Sequence, residues 1–219
     1  MDKHLFLFGS GPPFTPAMAK RFTEVSPDGP ISILFIEREG MDWKDYMPVF
    51  TQALMDAGAD EFKYLPLFST SSAEICKSVE RSAGIVIGGG DTNLYADYIV
   101  DTRIAWAIRN CYEKSVPVAG FSAGALISSN PCIISPNDNP DGKLQHRPGL
   151  GLISDVILSV HFSQWKDGSH LKEAVRYFPS RINLGIDERT GVYFRNNEYV
   201  DAEGDGVYTI INNNLNRIY

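Results

Sequence analysis

Short apolar runs recur along the first half of the chain, each followed by a turn and then by a stretch with helical spacing. Leu5 to Phe8 stops at Gly9-Ser10-Gly11-Pro12-Pro13, and Ala17 to Val25 follows with a helical pattern that Ser26-Pro27-Asp28-Gly29-Pro30 breaks. Ile31 to Ile36 is almost continuously apolar, which suits a strand covered on both faces. Asp42 stands where it can cap a helix from Trp43 to Ala57, with Gly58 as the stop. Phe62 to Leu65 is a third strand, and Ser71, three residues before Glu74, has capping-box spacing at the head of a helix running to about Arg81. Ile85-Val86-Ile87 is a fourth strand, ending in Gly88-Gly89-Gly90-Asp91-Thr92. Asn93 to Lys114 then reads as one long or two short helices leading into a fifth strand, Val116 to Ala119. This alternation predicts an α/β protein with a parallel sheet and crossover helices on both faces.

Beyond Ser128 the pattern changes. Cys132 to Ser135 is strand-like, Pro136 to Pro148 has the composition of a polar surface loop, and Val156 to Val160 is an apolar strand ending at His161. A helix from about Ser169 to Tyr177 precedes a strand at Asn183 to Ile186. Near Ser180 the style switches to hairpins: Val192-Tyr193-Phe194, Glu198-Tyr199-Val200 and Val207 to Ile211, separated by Asn, Asp and Gly, predict a small C-terminal antiparallel meander. With no repeat or linker, residues 1–219 read as one domain.

A formal charge of -7, with no run of Lys or Arg, sets aside nucleic acid and anionic membrane surfaces, which need clustered positive charge. The first apolar stretch is too short for a signal-peptide core and no later one has membrane-spanning length, so a soluble, cytoplasmic protein is expected. Cys76, Cys111 and Cys132 are odd in number and widely spaced, the usage of free thiols in a reducing compartment. They lack the close pairing of a zinc site or a redox motif.

The segment that carries chemistry is Val116 to Ser128, in which an apolar strand runs into Gly120-Phe121-Ser122-Ala123-Gly124 and then into small helix-compatible residues. That is the layout of a nucleophile elbow, where a sharp turn lifts a serine hydroxyl clear of the sheet. Serine needs a base and donors for the developing oxyanion. Of four histidines, His161 alone ends an apolar strand, so it is the expected base. Asp138 lies between Ser122 and His161 in the chain and is a candidate to orient the imidazole, with Asp155, Asp187 and Glu188 as rivals. The N–H of Ala123 is one expected oxyanion donor, and Gly89 or Gly90 the second. The triple glycine lacks the Lys-Ser/Thr ending of a P-loop.

Taken together, Ile85 to Thr92, Gly120 to Ala125, Asn137-Asp138-Asn139-Pro140 and His161-Phe162-Ser163-Gln164 resemble, in order and spacing, the peptidase S51 family of aspartyl dipeptidases and cyanophycinases. The resemblance extends over nearly the whole chain. It implies a flavodoxin-like or class I amidotransferase-like fold, Ser122 as nucleophile, His161 as base, Asp138 as third member, and Gly90 with Ala123 as oxyanion hole. It implies no cofactor. The expected activity is that of a serine exopeptidase on short peptides, including dipeptides with N-terminal Asp, in a chain able to form a homo-oligomer. Lys166, His170 and Arg189 are candidate cations for an acidic side chain. A non-catalytic relative that binds an amino acid or peptide in the same crevice is the alternative.

Overall fold

Five parallel strands run from one edge of the main sheet inward: β1 (His4–Phe8), β2 (Ile31–Phe35), β3 (Phe62–Pro66), β4 (Gly84–Ile87) and β5 (Val118–Phe121), ordered β1-β5-β4-β2-β3 with β3 at the edge. The structure, a computed structural model, describes residues 2–178 and 182–219. Ser180, where the change of style is expected, lies outside them. Alternation along β1 sends Leu5 and Leu7 to one face and Phe6 and Phe8 to the other. The first pair packs with Ile85, Ile87 and Val118 under the helices α4 (Ser72–Val79) and α6 (Arg103–Glu113). The second packs with Ile33, Val86 and Phe121 under α1 (Pro16–Val25) and α3 (Pro48–Asp56). Both faces are therefore dry, which is why these strands read as unbroken apolar runs.

Helix signals hold locally, with one division. Asp42 accepts from the Lys44 N–H and Ser71 from the Glu74 N–H, as their positions predict. The segment expected to be one helix is two, α2 (Trp43–Tyr46) and α3, because Pro48 starts a helix rather than continuing one. After β4 come a short α5 (Thr92–Tyr95), a π turn over Ala96–Val100, and α6. The elbow serine leads into α7 (Ala123–Leu126).

The second half departs from expectation in its pairing. Short strands β6 (Ser129–Asn130) and β9 (Ile153–Ser154) pair with each other, as do β7 (Cys132–Ile134) and β8 (Gln145–Arg147), so the polar loop carries a strand. The strand that leads to His161, β10 (Val156–Ser159), does not join the main sheet; it pairs with β11 (Ile182–Ile186) in a second sheet ordered β10-β11-β14-β15. The terminal meander is also divided. Strands β12 (Gly191–Arg195) and β13 (Glu198–Glu203) extend the main sheet antiparallel to β1, whereas β14 (Val207–Ile211) and β15 (Asn214–Arg217) extend the second. Hydrophobic spacing gives a strand its faces but not its neighbour, so this division was not visible in the pattern. Among the described residues no helix is long and apolar enough to cross a membrane, and Cys76, Cys111 and Cys132 are unbridged.

Candidate active site

Ser122 sits at the end of β5 with φ 49° and ψ -108°, a strained backbone that a non-glycine residue holds only where its surroundings enforce it. The flanking glycines make that turn possible. A Cβ at Gly120 would collide with the backbone of Gly124, and one at Gly124 would lie 2.5 Å from the Ile87 carbonyl oxygen. The Ser122 N–H donates to the Phe8 carbonyl at 3.0 Å, and the Gly124 N–H to the Gly88 carbonyl at 3.1 Å, so the elbow is fixed to β1 and β4.

His161 reaches the same edge from the second sheet. Its N–H donates to the Gly9 carbonyl at 2.8 Å, and its φ of 49° turns the side chain toward the elbow. Gly9 permits this approach, because a Cβ there would strike the Ile186 and Asp187 carbonyls. Nε2 of His161 is 2.9 Å from Ser122 Oγ. The ring stacks on Trp165, with centroids 4.4 Å apart and planes 19° from parallel.

The carboxylate on Nδ1 is that of Glu188, with Oε1 at 2.8 Å. Asp138, expected there, instead accepts from Thr92 Oγ1 at 2.6 Å. Asp187 accepts from the Ser163 N–H, and Asp155 immediately precedes β10, at the end of the strand away from His161. Chain order favoured Asp138; the turn after β11 brings Glu188 to the ring, and the Glu188 N–H donates to Gln164 Oε1 at 3.1 Å.

The glycine turn after β4 lies against the elbow, with a Cβ at Gly89 falling 3.1 Å from the Cβ of Ser122. Tyr95 holds this turn: its hydroxyl accepts from the Ile36 N–H and donates to the Gly89 carbonyl, and burial pushes its pKa well above the usual phenol range, so it stays protonated. The N–H groups of Gly90 and Ala123 donate to no carbonyl among the described residues, so both are available to a developing oxyanion.

Ser122 and His161 open into a crevice of about 370 Å³, lined also by Gly11, Ile36, Glu37, Arg38, Gly89, Gly90, Asp138 and Trp165. Asp138 belongs to this wall, and burial pushes its carboxyl up to about 6 against the pull of the Thr92 hydrogen bond. Lys166, His170 and Arg189 do not line the crevice: His170 pairs with buried Asp167, and Arg189 pairs with Asp205. Arg38 is the cation that does, lying 4.8 Å over the Tyr46 ring. Its position after β2, at a sheet edge where other strands deliver their loops, was the available signal. Among the described residues no group of three or more His, Cys, Asp or Glu is placed to hold a metal ion.

Residues 5–201 match the family model described as Peptidase family S51. The chain belongs to this family. Among curated S51 relatives, a protein named cyanophycinase from Geminocystis herdmanii is 30% identical over 173 residues, covering 76% of this chain and 62% of that protein. A cyanophycinase from Trichormus variabilis is 31% identical over 144 residues, 64% of this chain and 48% of that one. The chain thus spans only 62% and 48% of the length of these relatives. A crystal structure of a peptidase from an acI-B1 Actinobacterium superposes with a TM-score of 0.76 at 22% identity, over 100% of this chain and 94% of that one. A putative peptidase E protein from Listeria monocytogenes EGD-e gives 0.64 at 19% identity, over 93% and 98%. These two likenesses show the α/β fold.

Proposed function

We propose that this S51 protein is a serine peptidase that hydrolyses short peptides through an acyl-enzyme. The observation that carries the reading is the continuous contact from Ser122 Oγ through the His161 ring to Glu188, at 2.9 and 2.8 Å. In the proposed reaction His161 Nε2 takes the Ser122 proton as Oγ attacks the peptide carbonyl, and Glu188 holds Nδ1–H and balances the imidazolium that forms. The Gly90 and Ala123 N–H groups receive the oxyanion, which puts the strained turn and the triple glycine to use in one step. His161 then protonates the leaving amine, and water attacks the acyl-enzyme with the same histidine as base.

Dipeptides with N-terminal Asp are the proposed substrates, because Arg38 brings a positive charge to the crevice wall. A cytoplasmic location accords with the three free thiols. The test is turnover of Asp-X, Glu-X, β-Asp-X and neutral dipeptides by the wild type and by Ser122→Ala. Loss of all cleavage in a variant that keeps its fold supports the reading; unchanged cleavage, or no cleavage of any dipeptide by the wild type, ends it. Arg38→Met is expected to lower kcat/KM for Asp-X about tenfold relative to neutral dipeptides, the worth of one charge-assisted contact.

A further inference from the structure

Two successive carbonyls of the glycine turn are held by two different elements. The Gly88 carbonyl accepts from the Gly124 N–H of α7 at 3.1 Å, and the Gly89 carbonyl accepts from the Tyr95 hydroxyl of α5 at 3.3 Å. The first bond ties the turn to the elbow, and the second has a different effect. The Gly89 C=O and the Gly90 N–H belong to one planar peptide, in which they point in opposite directions. Fixing the carbonyl therefore fixes the N–H, which points away from Tyr95, and both glycines line the crevice with Ser122. Tyr95 is itself immobile. Its side chain is fully buried in the core, and its oxygen accepts from the Ile36 N–H at 3.1 Å. Glycine allows it to come this close, since a Cβ at Gly88 would lie 2.7 Å from the hydroxyl and one at Gly90 3.2 Å from the ring. A hydroxyl that already accepts a hydrogen bond is a stronger donor, and burial keeps its proton in place.

We propose that Tyr95 is a positioning residue for the reaction: by holding the Gly89 carbonyl it keeps the Gly90 N–H aimed at the oxyanion that forms on the peptide carbonyl. This rests on the serine peptidase reading above and adds a residue to its machinery. Tyr95 does not line the crevice, so it acts through the peptide unit and not on the substrate. As the bond from Ser122 Oγ to the carbonyl carbon forms, negative charge gathers on the carbonyl oxygen. A donor that need not turn at that moment lowers the barrier, whereas a loose one must first be ordered. Gly88-Gly89-Gly90 is the stretch of backbone with the greatest intrinsic freedom in the site, because none of the three has a side chain to restrain it. The restraint has to come from outside the turn, and the Tyr95 hydroxyl supplies it.

The experiment compares the wild type with Tyr95→Phe, which keeps the ring and removes only the hydroxyl, on the dipeptide panel and on an alkyl fluorophosphonate that labels activated serines. In the labelling step the bond from Ser122 Oγ to phosphorus forms, the P–F bond breaks, fluoride leaves and His161 takes the serine proton. The phosphoryl oxygen takes the place of the oxyanion, so this readout needs no peptide turnover. Rates are taken per folded molecule, with the folded fraction from denaturant melts, because the Ile36 N–H loses its acceptor in the variant. Tyr95→Phe is expected to lower kcat about 30-fold with KM unchanged, and to slow labelling of Ser122 by a similar factor. Placing 4-aminophenylalanine at position 95, which returns a donor to the same point, should recover most of both rates. Unchanged kcat and labelling in Tyr95→Phe, or a loss confined to KM, overturns the proposal, as does the absence of recovery with the amine. A wild type that is labelled but cleaves no dipeptide ends the peptidase reading, and the ratio of labelling rates then decides on Tyr95 by itself. A wild type that is not labelled at all overturns the proposal.

Discussion

Glu188 Oε1 lies 2.8 Å from His161 Nδ1, and the backbone N–H of the same glutamate is held by Gln164, three residues beyond the histidine. The carboxylate and the ring it orients are thus fastened to each other twice. Replacing Glu188 by Gln keeps the shape but removes the charge and allows the wrong imidazole tautomer. The expected loss is about 10²- to 10⁴-fold in kcat, with KM little changed. Because Glu188 acts on His161 rather than on the peptide, every cleaved dipeptide should slow alike, and steady-state kinetics across the dipeptide panel check this.

Trp165 is expected to position the imidazole. Its ring lies parallel to His161, and its carbonyl accepts from Asn137 at 3.2 Å, so it has little freedom. Trp165→Ala should lower kcat about tenfold by letting the ring wander from Ser122, while Trp165→Phe, which keeps a stacking face, should restore most of it. A pH–rate profile of both variants checks this, since the ring's environment changes in the first and is largely kept in the second.

The elbow glycines set a stability limit. A Cβ at Gly124 would meet the Ile87 and Gly88 carbonyl oxygens at 2.5 and 2.8 Å, both part of backbone that cannot easily retreat. Gly124→Ala is therefore expected to cost about 1–3 kcal/mol of stability and to displace Ser122. Denaturant melts, followed by activity at matched folded fraction, report the two effects separately.

Asp138 should make the protein's stability depend on pH in a predictable direction. Its carboxyl is pushed up to about 6 from an ordinary 3.8, so the folded state holds the proton more tightly than the unfolded chain. Below the unfolded value both states are protonated and there is no penalty. As pH rises, the unfolded chain ionises first, and above about 6 the folded state carries the full cost of the buried charge. Asp138→Asn should therefore stabilise the protein at neutral pH by about 1–3 kcal/mol and have almost no effect near pH 3.5. Thermal melts of both proteins across that range provide the check.

Much of this was legible in the sequence, for identifiable reasons. Strands buried on both faces announce themselves as apolar runs, and Gly120-Phe121-Ser122-Ala123-Gly124 is forced by backbone packing, so pattern and structure coincide there. His161 was accessible because its strand is apolar, even though that strand belongs to the second sheet. Glu188 stood only among the rivals to Asp138, since a carboxylate in a turn such as Asp187-Glu188-Arg189 looks the same whether it faces solvent or a histidine. Asp138 drew attention by chain order, but which residue meets His161 Nδ1 is decided by the turn after β11, which follows a strand paired with β10 in the second sheet. Arg38 gave no motif at all; only the edge on which its loop emerges marks it.

The two backbone anchors of the reacting pair are neighbours in the chain. Phe8 O takes the Ser122 N–H and Gly9 O takes the His161 N–H, so two successive peptide units at the end of β1 set the gauge between nucleophile and base. The walls of the crevice hang elsewhere, on the loops that carry Arg38, Asp138 and Trp165. Chemistry and taste are thus mounted on separate supports. A descendant of this chain can exchange its walls, and with them its substrate, while the distance across which the proton moves stays as β1 cut it.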